Sequence, residues 1–248
     1  MSAVFLPPLD YSIVSSDAVQ VAPASRVMLD EPGLVARSAA QTLTMTFNMG
    51  DQSYDTIAVI GTNLLSSDRV RVRIGNNAEM TSGIMFDTTV QAWTGNPPLD
   101  KAITYIPLNN TFSALYVRID ITSSRTFVEV SRVIIGKRLE VDGIDTEPNI
   151  TPVSGSIIDD GPGWTSADDY RTRMAWKANV GNVLASSYWT DWHPFLKRVG
   201  KHAGFLFIPQ TESDSIQLQA GLMRHKEDAN IVPVTYSRVR VELNLLEV

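Results

Sequence analysis

The sequence predicts a mainly β protein of antiparallel sheets, a sandwich or barrel, and three observations predict it. The dominant hydrophobic period is two. Gly, Asn and Pro turns punctuate the chain at short intervals. Helical periodicity is confined to one stretch, so helix is expected in under about 15 % of residues, well below the usual third.

The elements follow in order. Thr42-Leu-Thr-Met-Thr-Phe47 and Arg69-Val-Arg-Val-Arg-Ile74 alternate cleanly. Leu115, Val117, Ile119 and Ile121 face one way, with Tyr116, Arg118 and Asp120 opposite. Arg238-Val-Arg-Val-Glu-Leu-Asn-Leu245 is the longest such run. Each puts branched residues on a core face and polar residues in solvent, as half-buried antiparallel strands require. Thr56-Ile-Ala-Val-Ile60 and Val133-Ile-Ile135 are apolar on both faces and read as central strands. Turns fall at Gly75-Asn-Asn77, Gly95-Asn-Pro-Pro98 and Asn109-Asn110.

The helix is expected near 190–199. Trp192, Phe195, Leu196 and Val199 recur at one helical face. Thr190 or Asp191 would cap its start, Pro194 is tolerated in a first turn, Lys197 and Arg198 suit the C-terminal end, and Gly200 suits the exit.

Polar and Gly/Pro-rich sequence from 141 to about 164 separates two β domains, at 1–140 and 165–248. The stretch 141–165 holds Gly143, Pro148, Pro152, Gly155, Gly161, Pro162 and Gly163, so neither a helix nor a central strand is expected there. It also keeps Val141, Ile144, Ile150, Val153, Ile157, Ile158 and Trp164, which predicts an extended arm covered by a folded surface. The first core is expected to contain Leu43, Met45, Ile57, Val59, Val117, Ile119, Val133 and Ile135. The second is expected to contain Trp192, Phe195, Leu196, Phe205, Phe207, Val239 and Val241.

Composition narrows function. Lys plus Arg is 21 against 27 for Asp plus Glu, a net charge of −6. That argues against nucleic acid or an anionic membrane as the main partner. Charged residues are only 19 %, against about 25 % in typical domains, which hints at a surface covered by a partner. There is no cysteine, which excludes disulfides, thiolate metal sites and thiol catalysis. No apolar run is long enough to span a membrane, and Met1-Ser-Ala-Val-Phe-Leu-Pro-Pro8 lacks the basic start of a signal peptide.

No phosphate loop, zinc-protease or nucleophile-elbow motif is present, so no enzyme activity and no cofactor are expected. His193, His202 and His225 lack ligand spacing, and structural or solvated roles are expected for all three. Asp159-Asp160 and Asp168-Asp169 read as solvated turn acids rather than calcium ligands, since no D-x-D-x-D-G pattern supports them. Arg69, Arg71 and Arg73 line one strand face, either to grip an acidic partner or as a solvated face that discourages edge pairing. Trp93, Trp164 and Trp189 sit in or beside expected loops, where they would cap sheet edges, stack on sugar rings or anchor an interface. Trp93 with Asn96, and Asn63 near the sandwich rim, form the candidate glycan contacts.

Asp55-Thr-Ile-Ala-Val-Ile-Gly-Thr-Asn-Leu64 followed by Arg69–Ile74 resembles the galactose-binding-like (discoidin-type) β-sandwich found in tail and baseplate proteins of tailed bacteriophages. Leu115-Tyr-Val-Arg-Ile-Asp120 and Glu129-Val-Ser-Arg-Val-Ile-Ile-Gly136 are similar to its closing strands. Pro148-Asn-Ile-Thr-Pro152 is similar to the connector that follows. The order Trp-bearing helix, Gly204-Phe-Leu-Phe-Ile-Pro209, Gln217-Leu-Gln-Ala-Gly-Leu222 and the Tyr236–Glu247 strand resembles a second domain of such proteins. Many relatives carry His at the position of Thr62, so no role is carried over to that residue. The resemblance implies a non-enzymatic virion component, made in the host cytoplasm and located in the tail. It would form a ring or collar with copies of itself and other tail proteins, the 141–165 arm lying on a neighbour. The alternative is a carbohydrate-binding module that contacts glycans on the host surface.

Overall fold

The computed structural model describes residues 2–144, 149–154, 156–161, 164–168 and 172–248. The chain is mainly β and its sheets are antiparallel. Helix among the described residues is confined to Ala24–Met28, the stretch 185–199 and Ile216–Gln219. Two units are present, one formed by Met1–Glu140 with Phe205–Gly221, the other by Val141–Gly204 with Leu222–Val248.

The first unit is a sandwich. Its five-stranded sheet runs Ser12–Ser16, Thr42–Asn48, Tyr116–Thr122, Arg69–Gly75, Ile84–Gln91. Its three-stranded sheet runs Arg132–Gly136, Tyr54–Thr62, Ala102–Phe112. The period of two sets the register. Phe47, Met45 and Leu43 pair with Val117, Ile119 and Ile121, which pair in turn with Ile74, Val72 and Val70. This apolar ladder packs on Ile57, Val59, Ile106, Val133 and Ile135 of the other sheet in one core. All eight residues expected in this core are buried. The two-sided runs also behave as read, since Ala58, Ile60 and Ile134 are buried alongside their neighbours.

Phe205 and Phe207 are buried, but in the first unit rather than the second, where they were expected. Phe205–Ile208 pairs with Ala3–Leu6, with Phe5 opposite Phe207 and their rings 5.0 Å apart. Both strands are buried on both faces. Nothing in their period identifies a partner about two hundred residues away. The returning segment is fastened at two further points. The Gln217 side chain, 8 % exposed, accepts the Ile103 N–H (2.9 Å) and donates to the Ile103 carbonyl (2.8 Å), as a neighbouring strand would. Gly95, at φ 80°, lets the Asn96 N–H reach the Asp214 carbonyl at 2.7 Å, where a Cβ on residue 95 would lie 2.3 Å from that oxygen.

In the second unit Arg238–Glu247 lies between Gly221–His225 and Arg173–Leu184, and Asn149–Val153 pairs with the outer side of Arg173–Leu184. Asn230–Thr235 forms a hairpin with Arg238–Glu247. Trp176, Ala178, Val180, Val241, Leu243 and Leu245 are buried. Val239, expected in the core, is only half-buried. It pairs with Val183 just beyond a register shift, where Asn182 takes φ 62° and the strand turns out of the regular pleat.

Part of the expected strap is sheet. Asn149–Val153 is an edge strand, a place where Pro152 removes no needed hydrogen bond, and Ile157–Gly161 pairs with Trp164–Asp168 as a hairpin. Asp159, Asp160 and Asp168 therefore stand on strands rather than in turns. Pro148, Gly155, Pro162, Gly163 and Asp169 lie outside the described residues.

The helix starts earlier than 190. Ala185–Ser187 leads through a wider π turn at Tyr188–Trp192 into the α-helix His193–Val199. Thr190 and Asp191 fall inside this stretch and do not cap it. Proline lacks the N–H that would bond four residues back, and the wide turn lies just before Pro194, which accounts for the interruption there. Trp192, Phe195 and Val199 are buried, whereas Leu196 is half-buried. The exit is as expected: the Gly200 N–H, at φ 49°, caps the Leu196 carbonyl at 2.9 Å.

Candidate functional site

The sandwich rim uses its polar side chains to hold its own loops. The Trp93 ring is packed against the core, and its indole N–H donates to the Leu64 carbonyl at 3.0 Å. Asn63 donates to the Phe127 carbonyl (3.0 Å) and accepts the Glu129 N–H (2.9 Å). Asn96 is exposed and reaches the Ser215 hydroxyl at 3.3 Å. Asp68, 4 % exposed, accepts the Leu65 N–H (2.8 Å), the Ser123 hydroxyl (2.8 Å) and both the N–H and hydroxyl of Ser124 (2.9 Å each). Burial pushes its carboxyl upward, and those four hydrogen bonds outweigh it and hold the group below the ordinary carboxylate range. Trp93 and Asn96 lie on the same rim, but both answer to neighbouring backbone and hydroxyl groups.

The three strand arginines meet different fates. Arg71 grips Asp87 on the next strand with two bonds, 2.8 and 2.6 Å. Arg73 donates to Asp120 at 2.6 Å, and Arg118 holds the other oxygen of that carboxylate at 2.9 Å. Arg69, at the end of the strand, is exposed. The Arg71 bond is the main cause of the lowered Asp87 carboxyl, and for Asp120 the two guanidinium bonds overcome the upward push of burial. The outer face of the sheet is thus a cross-strand ion network in which Arg71 and Arg73 already have acidic partners. Trp164 opens the second strand of the hairpin, opposite Gly161.

The second unit holds a cleft of about 260 Å³. Tyr188, His193 and Lys197 of the helix line it together with Lys201, Glu227 and Asp228. Trp189, 64 % exposed, meets the Tyr188 ring edge-on at 5.1 Å and stands 5.2 Å from the His193 ring. The π turn widens the helix here and brings these three rings onto one side of it. His225 also lines the cleft, although the side chain is 4 % exposed. Burial lowers its imidazole to about 4, against a weaker upward pull from Asp228. Sequence reading singled out Trp189 but missed its partners. The link between helix and the turn after His225 joins residues some thirty apart, which no local period reveals. Among the described residues, no three His, Cys, Asp or Glu side chains converge as a metal site would need.

No protein-family model matches the chain, and no curated protein is similar to it in sequence. Solved structures are similar to part of the chain. A Ruminococcus gnavus GH29 fucosidase in complex with fucose is similar over 52 % of this chain, at 10 % identity and a TM-score of 0.41, and the match spans 25 % of that enzyme. CBM32-1 from a family 31 glycoside hydrolase of Clostridium perfringens is similar over 53 % of this chain and 96 % of its own length, at 14 % identity and a TM-score of 0.40. Reduced XRCC1, solved bound to the DNA polymerase β catalytic domain, matches over 53 % of this chain and 99 % of its own, at 14 % identity and 0.40.

Proposed function

We propose that the chain is a non-catalytic carbohydrate-binding protein, and that the ligand sits in the cleft of the second unit. The observation that carries this reading is the cluster of half-buried Tyr188 with exposed Trp189 and His193 beside a cleft lined by charged side chains. An aromatic face covers the apolar side of a sugar ring while polar neighbours take its hydroxyls. The sandwich of the first unit is of the galactose-binding-like kind that the strand sequence resembles. Binding of the full chain to immobilised glycans, lost on Trp189→Ala with unchanged thermal unfolding, supports the reading. Binding unaffected by that change overturns it.

A second reading is assembly into a bacteriophage tail tip or baseplate, as a ring or collar with copies of itself and other tail proteins. It is favoured by the edge strand Ile84–Gln91. This strand carries neither Pro nor Lys to blunt it and exposes Ile84 and Met85. The mass of the particle in solution decides: a defined oligomer supports this reading, and a monomer at all concentrations counts against it.

A further inference from the structure

We infer that the sugar held in this cleft is acidic, carrying a carboxylate on its ring; the inference rests on the carbohydrate reading above. Both carboxylates at the cleft are engaged through one oxygen each. Asp228 pairs with Lys201 at 2.9 Å, and Glu227 accepts from the Asn244 amide at 2.9 Å. A neutral sugar is ordinarily gripped by acceptors that take two neighbouring hydroxyls, and here each carboxylate has one of its two oxygens already committed to a donor. The donor side differs. Lys197 is exposed, lines the cleft, and has no ion-pair or hydrogen-bond partner among the described residues. It stands one helical turn from His193, whose ring contacts the exposed Trp189.

A ring bound against Tyr188 and His193, the rings that line the cleft, would share the cleft with Lys197. The group that gains most from an unpaired ammonium is an anion, because a charge-assisted hydrogen bond is about twice as strong as a neutral one. A carboxylate fixed to a sugar ring supplies that anion and the apolar face together. The negative total charge of the chain does not oppose this, since charges are screened beyond about 8 Å at physiological salt and within the cleft Lys197 and Lys201 match Glu227 and Asp228 in number.

The test uses the full chain with an oligogalacturonate, its carboxyl-reduced neutral counterpart and a sulfated oligosaccharide, each measured by calorimetry. The expected result is binding of the oligogalacturonate. Reduction of its carboxylates or Lys197→Met should each weaken binding by about ten-fold, the worth of one charge-assisted hydrogen bond. Lys197 is exposed, so the variant should unfold like the parent. Equal binding of the acidic and neutral forms, indifferent to Lys197→Met but lost with Trp189→Ala, would overturn the acidic-sugar inference and leave the carbohydrate reading intact. Preference for the sulfated ligand would overturn the carboxylate assignment. No binding of any of the three sugars, or binding unchanged in Trp189→Ala, would defeat both.

Discussion

Acidification should destabilise the second unit through His225. This side chain is 4 % exposed and packs near Phe195, ring to ring at 6.2 Å. Its imidazole titrates at about 4 in the folded chain against an ordinary 6.5. The unfolded chain therefore binds a proton that the folded chain refuses. Stability is fully present above pH 6.5, falls as pH drops from 6.5 to about 4, and levels off below that. The full loss is about 3 kcal/mol at 1.36 kcal/mol per pH unit, and about 2 kcal/mol of it is reached by pH 5. The measurement is urea unfolding by tryptophan fluorescence at pH 7.5 and pH 5, on the parent and on His225→Phe. The parent should lose about 2 kcal/mol more than the variant between the two conditions. Equal losses would refute the reasoning, as would an NMR titration that places the His225 imidazole near 6.5 in the folded chain.

Other perturbations probe separate links. Gln217→Ala leaves the buried Ile103 N–H and carbonyl without their amide and should cost about 1–3 kcal/mol in denaturant, with Gln217→Glu restoring only the acceptor half. Trp192→Ala should cost about 3–5 kcal/mol, whereas half-buried Leu196→Ala should fall below the 2–5 kcal/mol of a fully packed leucine; equal costs would mean the helix face is misassigned. Asp68 is held below its ordinary range, so its contribution is present at neutral pH and is lost as pH falls through the folded value. Asp68→Asn should flatten that acid limb, read by thermal melts at pH 6 and pH 3. Gly95→Ala should lower the melting temperature, since φ 80° and the nearby Asp214 carbonyl both exclude a side chain.

The sandwich was legible because its strands are half-buried, so alternation records the core face. Leu43, Met45, Val117 and Ile119 all lie where the period put them. Alternation is silent where both faces are covered, which is why Phe205 and Phe207 were placed in the wrong unit. It also fails at irregular backbone. The turn at Asn182 half-exposes Val239, and Pro194 follows a π turn that the spacing of Trp192, Phe195 and Val199 does not encode. The candidate rim residues show a related limit. Residue type marks Asn63 and Trp93 as able to contact a ligand, but only the folded distances reveal that they bond the backbone instead. Lys197 had no signal beyond its charge, because its isolation depends on where Lys201, Asp228 and Glu227 end up.

The return of Phe205–Ile208 to the first unit has a consequence in time. During synthesis Ala3–Leu6 emerges about two hundred residues before its pairing strand, a wait of roughly 10–40 s at ordinary elongation rates. Over that interval Ala3, Val4, Phe5 and Leu6, all fully covered in the finished molecule, lack the strand that covers them. Most of the second unit must leave the ribosome before the first can close. A nascent chain stalled at Gly204 would present an open strand edge, ready to be taken by a chaperone or by the 205–208 segment of another copy.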